Sequence, residues 1–203
     1  MKAKRSLVVG ASGQVGRQLA AAMGPGNFVA AGRHGSEVPL DLAELAGRPD
    51  LAGAVLDRCA AGAVYCCGGM TDVEGCESAA AAAYLVNCFG PATLAKAAAR
   101  RGLPFVYFST EYVFDGQAGP YGETAPPAPI SVYGASKREG ELAIQNVHPR
   151  ALILRTTVVY GPDPGGRNFL CGLRRNLLAG RTMSVAADQI STPTYNRDLA
   201  HAA

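Results

Sequence analysis

The feature that most constrains the fold of this chain is a short apolar run that leads directly into a glycine-rich turn. Residues 5–10 form the run, and the turn is Gly10-Ala11-Ser12-Gly13-Gln14-Val15-Gly16. The residues that follow, 14–23, have the apolar spacing of a helix. Strand, glycine turn and helix in this order are typical of the first βαβ unit of a dinucleotide-binding domain.

The three glycines of this turn have separate expected roles. Gly10 permits the turn, Gly13 lets the backbone approach a pyrophosphate, and Gly16 lets the helix pack closely on the strand. The free N–H groups and the positive dipole end of the helix amino terminus suit a phosphate. The alternative is an ordinary tight turn between a strand and a helix. We assign cofactor binding to Gly10, Ser12, Gly13, Gln14, Val15 and Gly16.

Strand and helix patterns then alternate along the chain. Further strands are predicted at 27–31, 63–67, 103–108 and 151–155, and helices at 51–61, 74–101 with a break at Gly90-Pro91, and 168–179. This alternation predicts an α/β fold with a doubly wound parallel sheet of the Rossmann type and right-handed crossovers.

Two domains are predicted from this pattern. Residues 1–160 form the dinucleotide-binding Rossmann domain, and residues 161–203 begin a substrate-binding segment with a short strand at 183–185 and a helix starting at 196. Because that helix has barely started where the chain stops, we expect the C-terminal substrate-binding segment to be partial and truncated.

Composition excludes several classes of function. The formal net charge is +3 and no basic tract is present, so binding to nucleic acid or to a membrane is not expected. The longest alanine-rich run, 79–86, is too short to span a bilayer, and residues 7–9 are too short for a signal-peptide core. We therefore expect a cytoplasmic protein. The six cysteines and three histidines show no ligand-like spacing, which predicts reduced, mostly buried thiols and no metal.

Residues that follow the second predicted strand bear on the choice of cofactor. An acidic residue there would select NAD, whereas an arginine accommodates the 2′-phosphate of NADP. Arg33 therefore favours NADP over NAD, which remains the alternative cofactor. The alternative for Arg33 itself is a solvated loop arginine with no role in binding. Asp41 and Leu42 are placed near the adenine, although a lone Asp equally suits a helix cap.

Three more positions are assigned to the cofactor. Cys67 ends the third predicted strand and Gly68 follows it, where paired glycines allow the backbone to approach a ligand closely. Asn87 is a polar residue within the apolar run 79–89, so it either hydrogen-bonds inside the protein or faces the site.

The fourth strand ends in a cluster of polar residues. It passes into Ser109-Thr110-Glu111, at the sheet edge where ligands bind in parallel sheets. Farther along, Tyr133 and Lys137 are four residues apart and share one face of a predicted helix. A phenol beside an ammonium suits a proton donor, and the alternative is an ordinary aromatic with a surface lysine.

Five sequence blocks together resemble the extended short-chain dehydrogenase/reductases, and among them the dTDP-4-dehydrorhamnose reductase group of sugar-nucleotide reductases. The blocks are Gly10–Gly16, Tyr107–Gly116 (YFSTEYVFDG), Val132–Lys137 (VYGASK), Leu154–Gly161 (LRTTVVYG) and Asp188–Thr194 (DQISTPT). The resemblance implies that Tyr133 donates a proton, that Lys137 binds the nicotinamide ribose and lowers the tyrosine pKa, and that Thr110 holds the substrate carbonyl. A cation at ~4 Å is worth up to about three pKa units before desolvation is subtracted. Glu111 joins the catalytic set, although the family usually has Asp there.

The resemblance also implies a function. It is an NADP-dependent reductase that transfers hydride to the 4-keto group of a nucleotide-linked deoxysugar, with NAD as the alternative cofactor. The substrate side is assigned to Thr71, Val73, Ser109, Thr110, Tyr133, Asn168 and Gln189. One alternative is a non-catalytic NADP-binding regulatory subunit similar to the β subunit of methionine adenosyltransferase, and another is a truncated, inactive fragment. A homodimer is left open, since alanine-rich helix faces serve both cores and interfaces.

Overall fold

The computed structural model describes residues 4–203, and within them a six-stranded parallel sheet forms the centre of the molecule. The strands are β1 Arg5–Val9, β2 Phe28–Gly32, β3 Val38–Pro39, β4 Ala61–Cys66, β5 Phe105–Thr110 and β6 Leu152–Thr156. Their spatial order is β3-β2-β1-β4-β5-β6, so the direction of winding reverses between β1 and β4. In such sheets the crevice beyond the carboxyl ends of those two strands is where ligands bind. The predicted doubly wound fold is therefore confirmed.

Helices cover both faces of this sheet. They are α1 Gln14–Met23, α2 Leu42–Leu45, α3 Pro49–Arg58, α4 Val73–Ser78, α5 Ala80–Tyr84, α6 Gly90–Ala99, α7 Val132–Val147, α8 Phe169–Leu178 and α9 Asn196–Ala202. Side chains of α2, α3, α6 and α7 form one core cluster with the sheet, whereas α1 and α9 pack against its other face around Leu19 and Leu199. Every residue of β5 is buried, because this strand has neighbours on both edges and helices on both faces.

A π-helical turn, Leu85–Phe89, divides the predicted helix 74–101 and joins α5 to α6. The break therefore lies immediately before Gly90 rather than at Gly90-Pro91. Gly90 allows α6 to approach α2 closely, because a Cβ there would overlap the Leu42 backbone oxygen. Pro91 has no N–H to donate to the Asn87 carbonyl oxygen four residues earlier, and that oxygen accepts from the Tyr107 hydroxyl instead.

Short elements were the ones that sequence periodicity missed. The two-residue strand β3 was not predicted, nor was the parallel pair of β7 Val159–Tyr160 with β8 Thr194–Tyr195. The predicted strand at 183–185 is wrong, since these residues are irregular and Val185 is 55% exposed. Three residues of β propensity do not form a strand when no neighbouring strand pairs with them.

All six cysteines are free thiols, and Cys59, Cys66, Cys76 and Cys88 are buried. Among the residues that the structure describes, no helix combines the length and apolar character needed to cross a bilayer.

Replacing Gly140 of α7 by alanine should destabilise the fold. A Cβ there would overlap the Asn87 backbone oxygen and lie 2.8 Å from the Tyr107 hydroxyl. Overpacking of this kind costs about 1–3 kcal/mol, so the midpoint of urea unfolding should fall. Gly172→Ala is the matched control within α8, where the nearest atom is 4.0 Å away and the gain in helix propensity, up to about 1 kcal/mol, should raise the midpoint. Equal midpoints for the two variants would contradict the packing around Gly140.

Candidate active site

The glycine turn forms a cradle at the carboxyl end of β1. Gly10 has φ +78°, and a Cβ on it would lie 2.7 Å from the Gly68 nitrogen, so the loops after β1 and β4 touch here. A Cβ on Gly16 would overlap the Gly10 carbonyl oxygen, which shows how closely α1 packs on the turn. In the described chain the first α1 N–H with a backbone acceptor is that of Arg17, which donates to the Gly13 oxygen at 3.0 Å. The earlier N–H groups are therefore available to an anion.

Two guanidinium groups flank this turn. Arg17 Nε and Arg167 Nη2 both donate to the Ser12 carbonyl oxygen, at 2.8 and 3.1 Å. The predicted residues Gln14 and Asn168 also meet here, because Asn168 Nδ2 donates to Gln14 Oε1 at 3.0 Å. Asn168 is 8% exposed, and its Oδ1 caps α8, so its side chain joins the two segments rather than lying open to a substrate.

The predicted adenine side is formed by loops after β2 and β4. Arg33 is exposed directly after β2. Asp41 is a helix cap, since its Oδ1 accepts from the Ala43 N–H at 2.9 Å at the start of α2. Leu42 is 5% exposed and belongs to the core, where it packs under Gly68: a Cβ on Gly68 would lie 3.0 Å from Leu42 Cδ1. Cys67 is half-buried beside Gly68.

Asn87 lies wholly inside the protein, in the π-helical turn. Its Oδ1 accepts from the Met70 N–H at 2.9 Å, and its Nδ2 donates to the Met70 oxygen and to Ser136 Oγ, both at 3.0 Å. Its backbone oxygen accepts from the Tyr107 hydroxyl at 2.5 Å. Of the two roles considered for Asn87, the structure therefore shows the internal one: it ties the loop after β4 to α7 and β5. π-helical turns are often found at functional sites for this reason.

Tyr133 and Thr110 come together at the carboxyl end of β5. Tyr133 is 8% exposed, and the Tyr112 ring lies edge-on to it at a centroid distance of 5.5 Å. Burial raises the pKa of Tyr133 to about 12, the Thr110 hydroxyl acts to lower it, and Glu111 acts to raise it. Thr110 Oγ1 donates to Glu111 Oε2 at 2.9 Å. Burial also raises the pKa of Glu111, despite hydrogen bonds that favour its charged form.

Lys137 lies one turn farther along α7 and is 4% exposed. Its Nζ donates to the Phe108 oxygen at 2.5 Å and lies 4.0 Å from the centre of the Tyr107 ring. Desolvation lowers the pKa of Lys137 to about 8, and Cys66 and Glu141 act against that shift. The ammonium is therefore attached to the same strand end that carries Thr110.

One expectation about this pair needs correction. We expected the Lys137 cation to lower the pKa of Tyr133, yet burial dominates and raises it to about 12. The reason is geometric: the ammonium is directed at the Phe108 carbonyl and the Tyr107 ring, and burial in an apolar cluster with Cys76 and Ala83 disfavours the phenolate.

Residues assigned to the substrate side are spread more widely. Val73 packs in the same small cluster as Tyr133, and Thr71 is exposed in the loop just before it. Ser109 is 5% exposed, and its hydroxyl acts to lower the pKa of Glu141. This hydroxyl has no hydrogen-bond partner in the described part of the chain. Gln189 lies in the exposed segment 182–193, and no hydrogen bond brings it to the site.

Sequence reasoning overlooked several residues of the site. The Tyr107 ring packs against Lys137, and Arg17 and Arg167 flank the glycine turn. The buried Glu141 forms an ion pair with the half-buried Arg155, one turn beyond Lys137 on α7. The spacing of Glu141 four residues after Lys137 was the one available signal, because it places both on the same face of α7.

The doubly wound sheet, the glycine turn and the arrangement of Thr110, Tyr133 and Lys137 are those of the extended short-chain dehydrogenase/reductase class. Comparison with known proteins gives a narrower assignment. A family model described as the RmlD substrate binding domain matches residues 4–203. The chain therefore belongs to the RmlD substrate-binding domain family.

Named relatives agree with this assignment. A dTDP-4-dehydrorhamnose reductase from Burkholderia thailandensis is 39% identical over 197 residues, covering 96% of this chain and 62% of that protein. One from Mycobacterium tuberculosis is 37% identical over 213 residues, covering 99% of this chain and 65% of that protein. The chain thus spans less than two thirds of the length of these relatives.

Solved structures show the same likeness. The crystal structure of a dTDP-4-dehydrorhamnose reductase from Clostridium acetobutylicum matches with a TM-score of 0.85 at 32% identity, covering 98% of this chain and 68% of that one. The Bacillus anthracis dTDP-4-dehydrorhamnose reductase, solved in complex with NADP, matches with a TM-score of 0.85 at 33% identity and the same coverage.

The burial of Lys137 predicts a specific pH dependence of stability. Its folded pKa of about 8 lies below the ordinary value of 10.5, so the folded state disfavours the charged amine. That penalty is fully present below about pH 8 and is relieved as the pH rises through about 8 to 10.5, because the unfolded chain then binds more protons. Relative to Lys137→Met, the wild type should gain about 2–3 kcal/mol of unfolding free energy between pH 7 and pH 10.

Urea unfolding of both proteins across this pH range measures the gain. Lys96→Met is the control, since Lys96 is exposed on α6 and its loss should leave the pH dependence unchanged. A difference in unfolding free energy between the wild type and Lys137→Met that stays constant with pH would contradict the lowered pKa of Lys137.

Proposed function

We propose that this chain is the cofactor-binding and catalytic part of an NADP-dependent reductase acting on the 4-keto group of a nucleotide-linked deoxysugar, dTDP-4-dehydrorhamnose being the first substrate to test. The observation that carries the proposal is the meeting of Tyr133, Thr110 and Lys137 at the carboxyl end of β5. Membership of the RmlD substrate-binding domain family and relatives named as reductases support the choice of substrate.

The residues around the glycine turn fit a dinucleotide. Gly10 and Gly68 touch, so side chains larger than hydrogen would close the cradle, and the first-turn N–H groups of α1 suit a pyrophosphate. Arg33, exposed after β2, would meet the 2′-phosphate, and the related reductase from Bacillus anthracis was solved with NADP. The adenine would then lie near Leu42, Cys67 and Gly68. A bound nicotinamide supplies the hydride.

The proton is supplied by the protein. A pKa of about 12 keeps the Tyr133 hydroxyl protonated throughout the neutral range, so its proton is available when a substrate binds. Thr110 Oγ1 lies beside it, and its proton, which is donated to Glu111 Oε2 in this structure, would turn to the substrate carbonyl oxygen. Lys137, held by the Phe108 oxygen, supplies positive charge nearby. As the carbonyl oxygen gains negative charge, Tyr133 donates to it as general acid.

The alternative of a regulatory subunit is not favoured, because the named relatives are reductases and a non-catalytic binder has no need of a buried phenol beside Thr110. A cytoplasmic location and a homodimer remain predictions.

Replacement of Tyr133 by phenylalanine tests the acid. NADPH oxidation with dTDP-4-dehydrorhamnose should slow by about 10²–10⁴-fold, because the general acid is lost, while NADPH binding changes little. Tyr84→Phe is the matched control, a half-buried tyrosine on α5 whose hydroxyl has no such role. If the wild type binds NADPH yet turns over no faster than Tyr133→Phe, the reductase proposal fails.

Arg33 is tested separately by its effect on cofactor choice. Arg33→Ala should weaken NADPH binding by roughly 10- to 100-fold and leave NADH binding unchanged, because one charge-assisted hydrogen bond to the 2′-phosphate is lost. Arg48→Ala, which removes an exposed arginine from the loop between α2 and α3, controls for the general loss of charge. Retention of the NADPH preference in Arg33→Ala would exclude Arg33 as the reader of the 2′-phosphate.

A further inference from the structure

A buried carboxylate without an assigned role lies one helical turn beyond Lys137. The Glu141 side chain is 1% exposed, on the face of α7 that packs against the sheet. Its Oε1 accepts from Arg155 Nε at 2.8 Å, and its Oε2 accepts from Arg155 Nη2 at 2.6 Å and from Arg138 Nη1 at 2.9 Å. Arg155, at the end of β6, also lies 5.1 Å from the centre of the Phe114 ring. Glu141 thus joins α7 to the last strand of the sheet.

Stability alone does not account for this arrangement. Removing a carboxylate and a guanidinium from water is costly, and apolar side chains of similar volume often stabilise such a site equally well or better. Burial acts to raise the pKa of Glu141, and the hydrogen bonds from Arg155 and Arg138 outweigh it, so the net shift is downward. The carboxylate is therefore ionised at neutral pH although it is buried.

The surroundings of Lys137 show what this charge acts on. Cys66 and Cys67 face the ammonium from the end of β4, and Tyr107 faces it from β5. Burial raises the pKa of Cys66 to about 12 and that of Cys67 and Tyr107 well above their ordinary values. These groups are neutral at pH 7. Among the described residues that act on Lys137, Glu141 is the one that carries a negative charge.

We propose that Glu141 is a positioning residue for Lys137: it is the counter-charge that holds the buried ammonium in its protonated form, and Arg155 and Arg138 fix it one turn away on α7. The catalytic meaning of this inference rests on the proposed reductase function. Its physical content, the charge state of one lysine, does not, and it can be measured without substrate or cofactor.

Lysine NMR gives the direct test. The 203-residue sequence contains four lysines, Lys2, Lys4, Lys96 and Lys137. This chain labelled with ¹³C at lysine Cε therefore yields a simple spectrum in which Lys137→Met identifies the buried resonance. The wild-type Lys137 midpoint is expected near pH 8. In Glu141→Gln it should fall by about one pH unit or more, because the nearby anion is lost.

Arg155→Met is the matched variant that separates charge from structure. It breaks the same ion pair from the other side and leaves the carboxylate with Arg138, so the Lys137 midpoint should stay at the wild-type value or rise. A merely structural role predicts the same downward shift in both variants. An unmoved midpoint in folded Glu141→Gln, or an equal fall in Arg155→Met, overturns the proposal, and the second outcome decides the matter even where Glu141→Gln does not fold.

Activity provides a second and separable readout. The alkaline limb of kcat/KM for NADPH oxidation should move to lower pH in Glu141→Gln by the same interval as the NMR midpoint, and should not move down in Arg155→Met. If the midpoints behave as expected and the wild type shows no turnover, the reductase function fails and the role of Glu141 stands. If turnover is normal and the Lys137 midpoint is unmoved in Glu141→Gln, the proposed role of Glu141 fails and the reductase function stands.

Discussion

The structure depends on the burial of one charged group, the ammonium of Lys137. Lys137 is 4% exposed, and its direct contacts are the Phe108 carbonyl and the face of the Tyr107 ring, with the Glu141 carboxylate one turn away on α7. The Tyr107 hydroxyl is in turn bound to the backbone of Asn87, so β5, α7 and the π-helical turn are held in one relative position. The contacts of Lys137 with Phe108 and Tyr107 therefore also fix the position of α7 on the sheet, and with it the position of Tyr133.

The candidate site divides into two chemically different parts. Around the glycine turn the protein offers backbone N–H groups and guanidinium groups, which suit an anion. Around Tyr133 it offers hydroxyls and the half-buried carboxyl of Glu111, with the phenol held neutral. The two parts meet because Gly10 and Gly68 bring the loops after β1 and β4 into contact at the point where the winding of the sheet reverses.

Local sequence patterns predicted the elements whose formation depends on residues close together in the chain. Helix α1 has the predicted bounds of 14–23, and the main strands lie within about two residues of expectation, because periodicity and the glycine spacing act locally. What escaped prediction depends on contacts between distant segments. The pKa of Tyr133 follows from burial that no local pattern reports, the cap formed by Asp41 was one of two equal choices, and β3 and β7 are too short to have a period.

The π-helical turn carries one extra residue relative to an α-helix that would join α5 to α6 directly. Each residue of an α-helix advances the side chains by about 100°. Deleting a single residue from this turn would therefore leave a smooth helix but rotate everything before it, and Asn87 would no longer face the Met70 backbone or Ser136. The site is thus sensitive to the length of this helix as well as to its composition. Conservative substitutions in the π-helical turn should disturb the Asn87 contacts less than an insertion or deletion.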